Sequence, residues 1–74
     1  MAFKVIKAFA EVIDVDPAEV NESDTLEERS ISEEDLAKFA SKLEDEFSIT
    51  IEDFVAKTFY SVGGVINYVE LEVE

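Results

Sequence analysis

Apolar residues recur at helical spacing along most of this chain, and the clearest run is residues 31–47, ISEEDLAKFASKLEDEF. Leu36, Phe39, Ala40, Leu43 and Phe47 fall at i, i+3, i+4, i+7 and i+11, a single stripe of period 3.6. The start of this helix is written twice. Ser32 and Asp35 have the spacing of a capping box, and Ile31 and Leu36 stand at the two hydrophobic-staple positions. Glu33, Glu34 and Asp35 add carboxylates to the first turn, where the helix dipole favours negative charge.

The rest of the chain is arranged around that helix. Residues 2–13 read as a first helix with Val5, Phe9, Val12 and Ile13 on one face and Ile6 beside them. Met1 and Ala2 offer no cap, so its start is expected to fray. Residues 14–30 form a connection too long to be structureless in so small a domain. Within it, Asp16-Pro17-Ala18-Glu19 reads as cap, proline and acid at the first and third helical positions, which predicts one turn at 17–20. Val15, Val20 and Leu26 are its expected plugs into the core, and residues 21–25 are an exposed turn. A short third helix is expected at 51–57, with Thr50 as cap, Ile49 and Phe54 as staple, and Phe54 and Val55 inward. Phe59 and Tyr60 would pack at its end. Ser61 caps a fourth helix, with Tyr60 and Val65 as staple and Val62, Val65, Ile66 and Val69 as its buried stripe. Gly63 and Gly64 in its first turn cost about 1 kcal/mol each relative to alanine. Close approach to a neighbouring helix would explain them; a mobile helix start that lets the bundle open is the alternative. Residues 69–74 read as the end of this helix, since no second strand exists to pair with them.

These elements predict one all-α domain over residues 1–74, a small four-helix bundle with three longer helices and one short. Such a domain is stable by about 3–5 kcal/mol. Nineteen acids against six bases give a formal charge of −13. That charge opposes binding to nucleic acid or to an anionic membrane and favours basic protein surfaces, reached by electrostatic steering. The chain has no cysteine, histidine or tryptophan. The usual thiolate, general base and commonest metal ligand are therefore missing, which counts against a hydrolase or metalloenzyme, and no enzymatic activity is expected. The acids of the long connection do not make a calcium loop. Starting at Asp14, Glu19 stands where glycine is needed and Thr25 where the bidentate glutamate belongs. With no apolar run long enough to span a bilayer, the expectation is a cytoplasmic monomer.

Three stretches carry a family resemblance. Lys42-Leu43-Glu44-Asp45-Glu46-Phe47-Ser48-Ile49-Thr50-Ile51 looks like the "LEEEF-x-I-x-I" segment of the acyl and peptidyl carrier proteins. Ser61-Val62-Gly63-Gly64-Val65-Ile66-Asn67-Tyr68-Val69 looks like their "TVGDLVDYV" helix, and residues 14–20 like the turn after their first helix. In that family an Asp-Ser-Leu at the start of the second helix carries 4'-phosphopantetheine on the serine. Counting back without gaps from Phe39, Leu43 and Phe47, the family's Ile-Asp-Ser-Leu-Asp-Leu falls on Ile31-Ser32-Glu33-Glu34-Asp35-Leu36. A glutamate, Glu33, thus stands at the attachment position. Glu34 replaces the leucine that follows it, and the segment at Glu27-Glu28-Arg29 lacks the family's anchoring leucine.

The resemblance implies a specialised or degenerate carrier-protein homologue that works by protein contacts, with no cofactor expected. Its partners would be enzymes of fatty-acid, polyketide or nonribosomal-peptide synthesis. Glu33, Glu34, Lys38, Ser41, Lys42 and Asp45 are the candidate partner-binding residues; in the family this face is mostly acidic, and here two lysines interrupt it. Two other readings stay open. Ser32 could accept phosphopantetheine one residue early, making a working carrier. Alternatively, the chain is an acidic regulatory adaptor or inhibitor that shares only the bundle.

Overall fold

A computed structural model describes residues 2–73. The helices are α1 (Ala2–Ile13), α2 (Glu33–Phe47), α3 (Asp53–Ala56) and α4 (Val62–Val73), with a single 3₁₀ turn at Pro17–Glu19. The all-α bundle of three longer helices and one short is as the hydrophobic pattern predicts.

The core lies where α1, α2 and α4 meet. Val5 and Phe9 of α1, Phe39 and Leu43 of α2, and Val62, Val65 and Val69 of α4 are fully buried. Phe9 and Phe39 meet edge to face, with ring centroids 5.3 Å apart and planes at 69°. No polar or charged residue is buried among the described residues.

The ends of the helical turns share one device. Asp14, Ser30 and Ser48 each adopt a left-handed conformation, with φ of 59°, 53° and 54°. Each lets the following residue's N–H reach back to a carbonyl five residues earlier: Val15 to Ala10, Ile31 to Leu26, and Ile49 to Glu44. Glycine is the usual residue at such a position, but both glycines of the chain lie in α4.

The long connection is ordered by its own hydrogen bonds. Asp16 accepts from the Ala18 N–H and Glu19 closes the capping box, as their spacing predicts. Val20 and Leu26 are buried and Val15 is partly so. The connection then lies along the start of α4. Leu26 N–H donates to the Tyr60 carbonyl (2.9 Å), Val62 N–H to that of Asp24 (3.0 Å) and Gly63 N–H to that of Glu22 (2.8 Å). Thr25 and Ser61 form an isolated antiparallel bridge there.

Three local expectations are corrected. The third helix starts at Asp53 rather than 51, and Thr50 does not cap it; Glu52 holds the cap position, without a side-chain bond. The cause is Ile51, which is buried and donates its N–H to the Glu44 carboxylate (2.8 Å), holding the chain extended past the end of α2. With that later start, Ala56 turns inward and Phe54 outward, where it is 68% exposed. Tyr60 does not staple α4 either; it is exposed, while Phe59 packs on Tyr68 with ring centroids 5.6 Å apart. Finally, Gly63 meets a loop rather than a helix: a Cβ there would lie 3.1 Å from the Glu22 carbonyl oxygen.

Candidate functional site

The candidate site is the mouth of α2, and it is built from its approach segment upward. Leu26 is buried, and the turn that follows it closes at Ser30. Ile31 and Leu36 then pack half-buried against the core, which fixes the angle at which the chain enters the helix. Ser32 is the N-cap, in an extended conformation, and its Oγ accepts the Asp35 N–H at 3.1 Å. Glu33 is the first residue of the helix. Both Glu33 and Glu34 point into solvent.

Behind the mouth stands a clamp that the sequence pattern did not single out. Arg29, the only arginine, reaches back with one guanidinium nitrogen to the Glu19 carbonyl and to Asp24 Oδ2 (2.6 Å). Asp24 Oδ2 also accepts the Asn21 N–H at 2.9 Å. That bond, followed by the Arg29 guanidinium, holds the Asp24 carboxyl below the usual carboxylate range against a smaller desolvation effect. Arg29 thereby ties the segment leading into α2 to the 3₁₀ turn. The signal available in the sequence was a lone arginine inside an acidic connection, with no periodicity to identify its partner.

Beside the mouth, α2 and α3 enclose a cleft of about 260 Å³. Leu36, Ala37 and Ala56 give it apolar walls; Glu33, Asp53 and Lys57 supply its charges. The chemistry on offer is recognition: carboxylates that accept hydrogen bonds, a helix start, and an apolar recess. Phosphopantetheine does not fit at Glu33, because the link to it is a phosphodiester on an alcohol and the residue there is a carboxylate. The alcohol at the mouth is Ser32, exposed but bonded into the cap.

The predicted partner-binding residues do not form one cluster. Glu34, Lys38, Ser41 and Asp45 share the exposed outer face of α2. Glu33 alone lines the α3 cleft. Lys42, with Asp45 at the border of the outer face, lines a groove against α1, where Lys42 Nζ reaches Glu11 Oε2 at 3.2 Å. This pairing draws Lys42 away from Lys38, its like-charged neighbour one turn earlier.

No protein-family model matches the chain, and no curated protein matches it in sequence. A small all-α bundle of this helix order is compatible with the carrier-protein resemblance. No described helix is long and apolar enough to cross a membrane.

Proposed function

We propose that the chain is a specialised or degenerate homologue of the acyl carrier proteins, acting through protein contacts at the start of α2 without a covalent phosphopantetheine arm. The observation that carries this reading is Glu33. At the position aligned with the arm-bearing serine stands an exposed carboxylate, on the first residue of α2. A phosphoryl group on a carboxylate would be an acyl phosphate, which water cleaves, rather than a durable ester. The protein would present surfaces and catalyse nothing itself. Its partners would be basic surfaces, of the kind fatty-acid, polyketide or peptide synthase enzymes offer to carriers. Three acids in the first turn of α2 and a net charge of −13 support steering toward such surfaces. Glu34, Lys38, Ser41 and Asp45 on the outer face, with Lys42 at its edge, would select among partners, the lysines turning away those built for a wholly acidic face.

The test is a mass measurement after incubation with coenzyme A and a broad-range phosphopantetheinyl transferase. The wild-type chain should gain nothing, and Glu33→Ser should gain one arm. The second reading, a working carrier, rests on the exposure of the Ser32 hydroxyl at the helix mouth. It predicts a wild-type mass gain of one arm that Ser32→Ala abolishes, and that result would overturn the first reading. A third, the acidic adaptor or inhibitor, predicts salt-sensitive capture of a basic partner with no role in acyl transfer.

A further inference from the structure

The groove between α1 and α2 lies on the opposite flank of α2 from the α3 cleft. It has a volume of about 450 Å³ and is lined by Phe3, Lys4, Lys7, Ala8 and Glu11 of α1 and by Lys42, Asp45 and Glu46 of α2. Two ion pairs cross it: Lys4 Nζ to Glu46 Oε1 at 3.3 Å, and Lys42 Nζ to Glu11 Oε2 at 3.2 Å. That leaves Lys7 and Asp45. Among the described residues, neither has an opposite charge within 4.0 Å. Phe3 stands at the groove 65% exposed.

We infer that this groove is a weak, reversible contact between two copies of the chain, paired about a two-fold axis. The first argument is charge. Three lysines and three acids line the groove and cancel, so the whole formal charge of −13 lies elsewhere on the surface. Outside the groove three bases stand against sixteen acids, so two copies meet with least local repulsion here. The second argument is self-complementarity. In a two-fold contact, if residue i of one copy meets j of the other, then j also meets i. Lys7 of each copy would face Asp45 of the other, and the two charges left over in one chain would both be satisfied. Phe3 of each copy would enter the groove of the other. A foreign partner would need the same alternation of signs, whereas a second copy carries it already. The contact is weak because α1 is only 12 residues long. One flank of such a helix covers less than the ~800 Å² per partner of a stable complex. Each chain closes its own core, so the single chain is the folded unit and pairing follows concentration.

The test is sedimentation of the full chain over a concentration series up to about 1 mM, at low and at moderate salt. The average mass should climb from one chain toward two. The climb should be steeper at moderate salt, where repulsion between the acidic chains is screened. Lys7→Glu alone and Asp45→Lys alone should each weaken association by about tenfold or more. An equimolar mixture of these two variants should associate again, because each introduced acid then faces the other variant's introduced base. That recovery also shows that both variants are folded. A constant single-chain mass across the series at moderate salt would overturn the inference. So would variants that associate like wild type, or a mixture no better than its components.

Discussion

Alanine at Gly63 and at Gly64 should have opposite effects, although the two glycines are neighbours in the first turn of α4. Glycine inside a helix costs roughly 0.5–1 kcal/mol relative to alanine, through backbone entropy. Gly64 is exposed, and a Cβ there would meet only the Ser61 hydroxyl, at 3.3 Å. That hydroxyl caps the helix by accepting the Gly64 N–H at 3.1 Å. The same cap geometry occurs at the start of α2, where Ser32 Oγ accepts the Asp35 N–H at 3.1 Å and Asp35 carries a side chain. The site therefore tolerates a Cβ, and Gly64→Ala should add about 0.5–1 kcal/mol, or about 2–8 °C in melting temperature. At Gly63 the obstacle is backbone. The new Cβ would lie 3.1 Å from the Glu22 carbonyl oxygen, which itself accepts the Gly63 N–H at 2.8 Å. The oxygen cannot retreat without stretching a bond worth about 0.5–1.5 kcal/mol. The propensity gain is consumed, and Gly63→Ala should be neutral to about 1 kcal/mol destabilising. Urea and thermal melts followed by circular dichroism read the difference, and hydrogen exchange at Val62 reads the loosened loop. If Gly63→Ala raises stability as much as Gly64→Ala, the loop does not press on α4 there.

Other expectations follow from the same contacts. Phe39→Ala empties the centre of the core and should cost about 3–5 kcal/mol. That matches the whole stability of a domain this size, so the variant should melt without a cooperative transition. Ser48→Gly relieves a left-handed serine and should raise stability by about 0.5–1 kcal/mol, seen as a higher urea midpoint. Asp24 titrates below its ordinary value in the folded chain, so its contribution is complete above about pH 4 and is lost as pH falls through the folded value. The gap in melting temperature between wild type and Asp24→Asn should therefore close in acid; a gap constant with pH would refute this. Burial, then Glu72, Glu52 and Glu44, push the Tyr68 phenol up. Stability should thus fall as pH rises beyond about 10, and fall less in Tyr68→Phe. With a net charge of −13, salt or millimolar Mg²⁺ should raise the melting temperature by screening self-repulsion, and a melt indifferent to both would count against it.

The bundle was legible because its signals are local and repeated. Ser32 and Ser61 mark two helix starts, Asp16 to Glu19 mark a third turn, and the stripes of α1, α2 and α4 each hold helical spacing. The errors share a cause. Thr50 and Phe54 fit a cap and staple as well as Ser32 and Leu36 do, but Ile51 is claimed by the Glu44 carboxylate and the core, and that competition crosses elements. Tyr60 lies where the long connection runs along the start of α4: its carbonyl accepts the Leu26 N–H, Ser61 bridges Thr25, and its side chain stays exposed. Arg29 was illegible because its partners, Glu19 and Asp24, are brought together only by the folded loop. At the site, sequence spacing located the exposed face of α2. It did not show that the face divides, with Glu33 beside α3 and Lys42 and Asp45 beside α1, because that depends on where the neighbouring helices pass.

This division makes salt a discriminating variable. The two proposed contacts draw on opposite parts of one charge distribution. Docking of the α2 mouth on a basic partner uses unlike charges, Glu33, Glu34 and Asp35 against lysines or arginines, so added salt must weaken it. Pairing of two copies through the α1 groove opposes two like net charges of −13 and gains only a few exposed ion pairs, each worth about 0.2–1 kcal/mol. Screening removes more repulsion than attraction there, so added salt must strengthen it. The two processes therefore cannot share one salt dependence. A basic partner that bound through the groove would have to displace or repel Lys4, Lys7 and Lys42, while one that bound at the mouth would leave Lys4 and Lys7 of α1 untouched. Lys7→Glu should accordingly leave docking at the mouth unchanged, or slightly tighter, while weakening self-association by about tenfold or more, and a partner whose affinity rises severalfold with that substitution would be using the groove.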